Sequence, residues 1–307
     1  MDFKRIVFLL GPTAVGKTGV SFHLARGLNA EIISCDSMQV YKEISIASGK
    51  PPEEILRKVP HHLVGVVSIQ QEFDVMTFQQ MALAAIKKIH AENKIPLVVG
   101  GSGLYVQVLL DGLFAGVPQD SQLRGKLDWL ARKRGNEFLF AQLQAWDPHS
   151  AQKIHPHDRK RIIRALEVYL TTREPMSRWQ KRRQGLWGSF DISLFALNRE
   201  RPQLYQSIND RVEQMFHKGV VNEIKRFQKV PWSRTAQAII GVREIRGFLE
   251  GKHTLQKAKE LMRLHTRRYA KRQMTWFRKE KRLCWITIEL QETPQQVASR
   301  IMERLSR

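Results

Sequence analysis

Five consecutive apolar residues, Ile6, Val7, Phe8, Leu9 and Leu10, run straight into Gly11-Pro12. A run of this length without polar alternation predicts a strand covered on both faces, since a half-exposed strand would alternate and a buried helix would be longer. The same pattern recurs at residues 31–35, ending in Asp36-Ser37, and at residues 95–99, ending in Gly100-Gly101-Ser102-Gly103. Between these runs the spacing becomes helical. Val20, Leu24 and Leu28 follow Lys17 at that period, and Val75, Phe78, Met81, Ala82, Ala85, Ile86 and Ile89 form a stripe behind Asp74, a side chain suited to cap a helix N-terminus. Short apolar runs alternating with amphipathic helices predict an α/β fold on a parallel sheet flanked by helices. In such sheets ligands sit beyond the carboxyl ends of the strands, so the segment after Leu10, Asp36 and Ser102 are expected to share one crevice.

The pattern changes at about residue 117. Helical runs rich in Arg and Lys follow, with Trp129, Trp146, Trp179 and Trp187 scattered among them. Residues 190–197 then alternate and predict a strand rejoining the sheet. Tyr205, Ile208, Val212, Met215 and Phe216 predict a helix, residues 254–281 a long basic helix, and residues 284–288 a last strand. The expected organisation is a discontinuous core of residues 1–116 and 190–307, with residues 117–189 forming an all-helical insertion domain.

Charge sharpens that division. Residues 1–116 hold 11 Lys and Arg against 10 Asp and Glu, whereas the remaining residues hold 40 against 19, so nearly all of the +22 formal charge lies beyond the first third. Such an excess is the footprint of a polyanionic partner. Nucleic acid is favoured over a membrane surface because no compact basic segment carries an apolar face, and no apolar stretch approaches the 18 residues of a membrane span. The first residues carry a strand pattern in place of a leader pattern, which makes the cytoplasm the expected compartment. Cys35 and Cys284 lie far apart with no ligand spacing around them, so they are expected to be core thiols. His61 and His62 are adjacent and would point apart on an extended strand, which argues against a metal pair.

The segment after Leu10 carries the chemistry. Gly11-x4-Gly16-Lys17-Thr18, between a strand and a helix, is the phosphate-binding P-loop pattern in its required context. In that geometry the backbone N–H groups of residues 12–18 curl around a diphosphate, Lys17 adds a point charge and the Thr18 hydroxyl can ligate Mg²⁺. A nucleic-acid motor would also need a later apolar strand ending in Asp, but the strand at residues 95–99 ends in glycines. Asp36, directly after the loop's helix, is placed instead as a general base for an attacking hydroxyl or amine, or as a cap of the turn that follows it.

Seven ordered blocks give the chain a family resemblance over nearly its whole length. They are Gly11-Pro12-Thr13-Ala14-Val15-Gly16-Lys17-Thr18, the Asp36-to-Tyr41 segment, Pro60 to Leu63, Gly100 to Tyr105, Asp158 to Glu167, Ala238 to Glu244 and Tyr269 to Arg278. Together they resemble the tRNA dimethylallyltransferases, P-loop NTPase-like prenyltransferases. The resemblance implies that dimethylallyl diphosphate lies in the loop formed by Gly11, Pro12, Thr13, Ala14, Val15, Gly16, Lys17 and Thr18. The N6 amine of the adenosine 3′ to the anticodon of a tRNA would displace that diphosphate. Asp36 would take the proton and Ser102 would orient the amine or Asp36. Thr13 and Arg211 would stabilise the leaving group, with Mg²⁺ on Thr18. Asp36, Ser37, Met38 and Gln39 and the turn at Gly241, Val242 and Arg243 would read the anticodon loop, with Arg159, Lys160 and Arg161 gripping stem phosphates. A monomer is the implied state.

The chain departs from the family pattern in two places. Where an Asp-Ile-Gly-Thr-Ala-Lys-Pro run is common it reads Glu43 to Pro51 with Ser45, Ala47, Ser48 and Gly49, and where Gly-Tyr-Lys is common it has Gly241-Val242-Arg243. Ser102 stands where Thr is usual. A small-molecule kinase or a free-adenylate isopentenyltransferase would share the loop and Asp36, but neither has a use for the basic excess.

Overall fold

The computed structural model describes residues 4–113 and 120–306. In chain order the elements are β1 (Arg5–Leu10), α1 (Lys17–Gly27), β2 (Ala30–Cys35), α2 (Glu53–Lys58), β3 (His61–His62), α3 (Val75–Ala91), β4 (Ile95–Gly100) and α4 (Gly103–Asp111). Next come α5 (Ser121–Arg134), α6 (Asn136–Trp146), α7 (Pro148–Ala151), α8 (Arg159–Thr172) and α9 (Met176–Lys181). The chain closes with β5 (Asp191–Asn198), α10 (Arg201–His217), α11 (Val220–Arg226), α12 (Val242–Leu249), α13 (Leu255–Phe277), β6 (Cys284–Thr287) and α14 (Pro294–Leu305). These elements divide into two compact units, residues 1–109 with 187–307 and residues 110–186. The first domain boundary expected from sequence, at 116–117, lies outside the described residues.

In the first unit all six strands are parallel, in the order β3-β2-β4-β1-β5-β6. The central strand is β1, and Ile6 to Leu10 are wholly inaccessible, which is why its sequence shows no alternation. One face is covered by Val20, Leu24, Ile208, Val297 and Ile301, packed on Val7, Leu9, Ile32 and Leu197. Asp74 caps α3 by accepting from the Thr77 N–H at 2.8 Å, as its position before the apolar stripe implied.

Register fixes the site. Leu10 pairs with Gly100 and Gly100 with Cys35, so β1, β4 and β2 finish side by side and release Gly11, Gly101 and Asp36 at one edge. β3 is a two-residue strand at the sheet margin. His61 Nδ1 donates to the Val59 carbonyl, and His62 Nε2 meets the Glu31 carboxylate at 2.7 Å, so the two rings serve separate partners.

The second unit is helical with its own core, where Leu127, Ala131, Leu139, Leu143, Ile162 and Leu166 interlock. The carboxylate of Glu167 is buried in it, ion-paired with Arg124 at 2.9 Å and Arg164 at 2.6 Å, and accepts from the Asp120 N–H. No described helix is long and apolar enough to cross a membrane.

Candidate active site

The loop after β1 is shaped by three residues with positive φ: Gly11 (147°), Ala14 (64°) and Gly16 (107°). Gly16 lies in left-handed backbone, where an L side chain is strained, and Gly11 approaches β5 so closely that a Cβ would sit 2.9 Å from the Leu197 carbonyl oxygen. These turns aim successive N–H groups inward, making a nest for an anion. The expectation that residues 12–18 all donate needs correction. Pro12 has no N–H, and that of Thr13 donates to Gln273 Oε1 at 2.9 Å, so residues 14–18 supply the loop's donors. Arg199 Nε braces the loop from outside by donating to the Val15 carbonyl.

Lys17 and Thr18 open α1, which places the ammonium and the hydroxyl at the positive end of a helix. Lys17 Nζ donates to the carbonyls of Gly11 and Pro12 at 2.9 and 2.8 Å. Burial pushes its pKa down to about 8, against the opposing pull of Asp36, while Arg211 adds to the depression. Thr18 lines a pocket of about 380 Å³ together with Lys17, Ser34, Asp36, Gln39 and His61. Burial holds His61 below the ordinary histidine range.

Asp36 is half-buried directly beyond β2. Its Oδ1 accepts from the Met38 N–H at 2.9 Å, so the turn-capping role weighed from sequence is present. The carboxylate also faces the Lys17 and Arg211 charges, and turn and charge roles coexist because a carboxylate has two oxygens. Ser102 Oγ accepts from the Ser37 N–H at 3.2 Å and lies beside the Tyr269 hydroxyl, whose titration burial pushes up. Arg211, projecting from α10, lies against Gly49 so tightly that a Cβ there would be 1.8 Å from its Nη2; Gly49 also has φ +63°. Burial lowers the Arg211 pKa, with Asp36 opposing.

The loop-reading candidates are placed unequally. Gln39 is committed in both directions, accepting from Ser34 Oγ at 3.0 Å and donating to the Gly49 carbonyl at 3.1 Å. Gly241 lies in the turn that leads into α12, its N–H donating to Glu244 Oε2, whereas Val242 and Arg243 already belong to the helix, with Arg243 exposed in its first turn. In the helical unit Arg159 is engaged with Asn136 at 3.0 Å and Asp128 at 3.3 Å, while Lys160 and Arg161 are exposed.

Sequence reading missed Gln273, Tyr269, Arg199 and Glu223. The last accepts three successive N–H groups, those of Ser45, Ile46 and Ala47, and thereby fixes the segment that ends at Gly49. One signal was available for Gln273: it is a polar residue on the buried stripe of α13, between Ala270 and Phe277. No group of His, Cys, Asp or Glu among the described residues could hold a metal ion by itself.

The parallel sheet, the anion nest after its central strand and the carboxylate at the neighbouring strand end define a P-loop enzyme that works on a phosphorylated substrate. Within that class, residues 39–280 match the IPP transferase family model. Curated relatives include the tRNA dimethylallyltransferases of Alkaliphilus oremlandii (39% identical, covering 98% of this chain and 96% of that one) and Carboxydothermus hydrogenoformans (42%, covering 92% and 91%). Among solved structures, the tRNA isopentenylpyrophosphate transferase of Bacillus halodurans superposes with a TM-score of 0.72 at 34% identity, covering 99% of this chain and 97% of that one. A eukaryotic dimethylallyltransferase acting on tRNA gives 0.81 at 29%, covering 97% and 78%. The chain belongs to the IPP transferase family.

Proposed function

We propose that this enzyme transfers the dimethylallyl group of dimethylallyl diphosphate to N6 of the adenosine 3′ to the anticodon of tRNA, releasing diphosphate. The observation that carries the reading is the meeting of the anion nest with Asp36 and Ser102 at adjacent strand ends, in a chain of this family. The N6 lone pair forms a bond to the allylic C1 as the C1–O bond breaks. Charge accumulates on the departing diphosphate, where the N–H groups of residues 14–18, Lys17, Arg211 and the Thr13 hydroxyl stabilise it. Asp36 takes the N6 proton, and Ser102, held by the Ser37 N–H, orients the amine.

Mg²⁺ fits the donors present, because the Thr18 hydroxyl and the Asp36 carboxylate are hard oxygen ligands on one pocket. Thr18 would hold the ion, which when bound neutralises diphosphate charge. An adenine inside a stacked loop cannot bring N6 to this crevice, so the target nucleotide must be extruded. Exposed Lys160, Arg161 and Arg243 supply phosphate contacts, and residues 36–39 flank the entering base. The chain acts as a monomer in the cytoplasm on this reading.

The test is incubation with unmodified tRNA, Mg²⁺ and dimethylallyl diphosphate, followed by nucleoside mass spectrometry. A prenylated adenosine is expected. No product with tRNA, combined with prenylation of free AMP or phosphate transfer from ATP, would overturn the reading.

A further inference from the structure

One face of α13 holds three consecutive residues of the loop after β4. Tyr269 lies beside Ser102. Gln273 Nε2 donates to the Gly101 carbonyl at 2.9 Å. Trp276 packs on Gly103, where a Cβ would lie 2.4 Å from its ring. The spacing of 269, 273 and 276 is that of one helical stripe. Gln273 alone also reaches the other wall of the crevice, because its Oε1 accepts the Thr13 N–H.

We propose that Gln273 is a positioning residue, its carboxamide setting the gap between the diphosphate loop and the loop that carries Ser102. This deepens the proposed prenyl transfer and rests on it. The side chain is buried and carries one donor end and one acceptor end, which meet a carbonyl and an N–H respectively, so reversing the amide would break both contacts. Leucine has nearly the same volume and can make neither bond. Gly101 lacks a side chain where the carboxamide lies: a Cβ there would be 2.2 Å from Gln273 Nε2 and 3.0 Å from the Gly11 carbonyl oxygen. The clamp can therefore be loosened from either side. It acts on the separation of leaving group and nucleophile, where displacement by about 1 Å costs about 100-fold in rate.

The experiment compares wild type, Q273L and G101A. It measures the single-turnover prenylation rate at saturating donor and tRNA, tRNA affinity by filter binding, and melting temperature. Both variants are expected to lose about 100-fold in rate while tRNA affinity stays within about twofold. The double variant should lose little more than either alone, because both open the same clamp. If Q273L does not fold, G101A alone decides. A rate within about threefold of wild type in a folded variant refutes the proposal, and so does a parallel loss of tRNA affinity, which would make Gln273 a docking residue. Absence of prenylation by the wild type would instead strike the underlying function.

Discussion

The helical unit and the strand-end crevice of the sheet unit handle positive charge in opposite ways. In the helical unit several carboxylates are ion-paired with arginines: Glu167 with Arg124 and Arg164, Asp128 with Arg132 and Arg159, and Glu174 with Arg182. At the strand ends of the sheet unit, Lys17 and Arg211 make no ion pair among the described residues. Lys17 rests on two backbone carbonyls and Arg211 against Gly49. A paired charge contributes to the fold and has little left for a ligand. A charge held by neutral groups keeps its field for a diphosphate, and the depressed Lys17 pKa reflects the strain of holding it there.

The contrast is sharpest at the two half-buried or buried acids, Asp36 and Glu167. Replacing Asp36 should lower the single-turnover rate by at least about 10³-fold with tRNA binding intact. D36N is more telling than D36A, because asparagine can still accept the Met38 N–H and keep the turn. Near-normal turnover by D36N would leave Asp36 a turn residue only. E167A should behave differently: two partly exposed arginines and the Asp120 N–H lose the buried carboxylate that joins them, destabilising the fold by about 1–3 kcal/mol in urea titration. An unchanged unfolding midpoint would show that the pairing is dispensable.

Lys17→Met should weaken inorganic pyrophosphate binding by about 100-fold at pH 7. Its sign with pH follows from the depressed pKa. Below about pH 8 the ammonium is charged and attracts the anion, and above it the group is neutral. The wild-type advantage over K17M should therefore shrink as pH rises through 8, and an advantage constant to pH 9.5 would contradict the assignment. The smallest effect belongs to the helical unit's surface. Neutralising Lys160 and Arg161 should reduce the salt slope of tRNA binding by about two. R159A, whose guanidinium is already engaged, should leave the slope unchanged and cost about 1 kcal/mol or less in stability. A slope equally reduced by R159A would erase the distinction between the cation engaged on Asn136 and Asp128 and its more exposed neighbours.

Much of this was legible in the sequence because the decisive signals were local. The unalternating run at Ile6 to Leu10, the glycine spacing and the polar residues closing two further apolar runs specify strand, loop and helix, and the rule for parallel sheets brings Asp36 and Ser102 together. What escaped depends on distant partners. Gln273 meets Thr13 and Gly101 across 260 and 172 residues, and Glu223 meets residues 45–47 across more than 170. A polar residue on a buried stripe can flag Gln273, but no local pattern names its partners. The engagement of Arg159 was hidden for a related reason: a charge run looks uniform until the fold sets Asp128 beside one member.

Gly100 has a wider consequence. A Cβ there would lie 2.0 Å from the Cys35 carbonyl oxygen, so β2 and β4 meet at a point that tolerates no side chain. That bare contact makes the spacing of the two strand ends a property of main chain. A side chain at position 100 would pry β2 from β4 and move Asp36 and Ser102 together, whatever residues surround them.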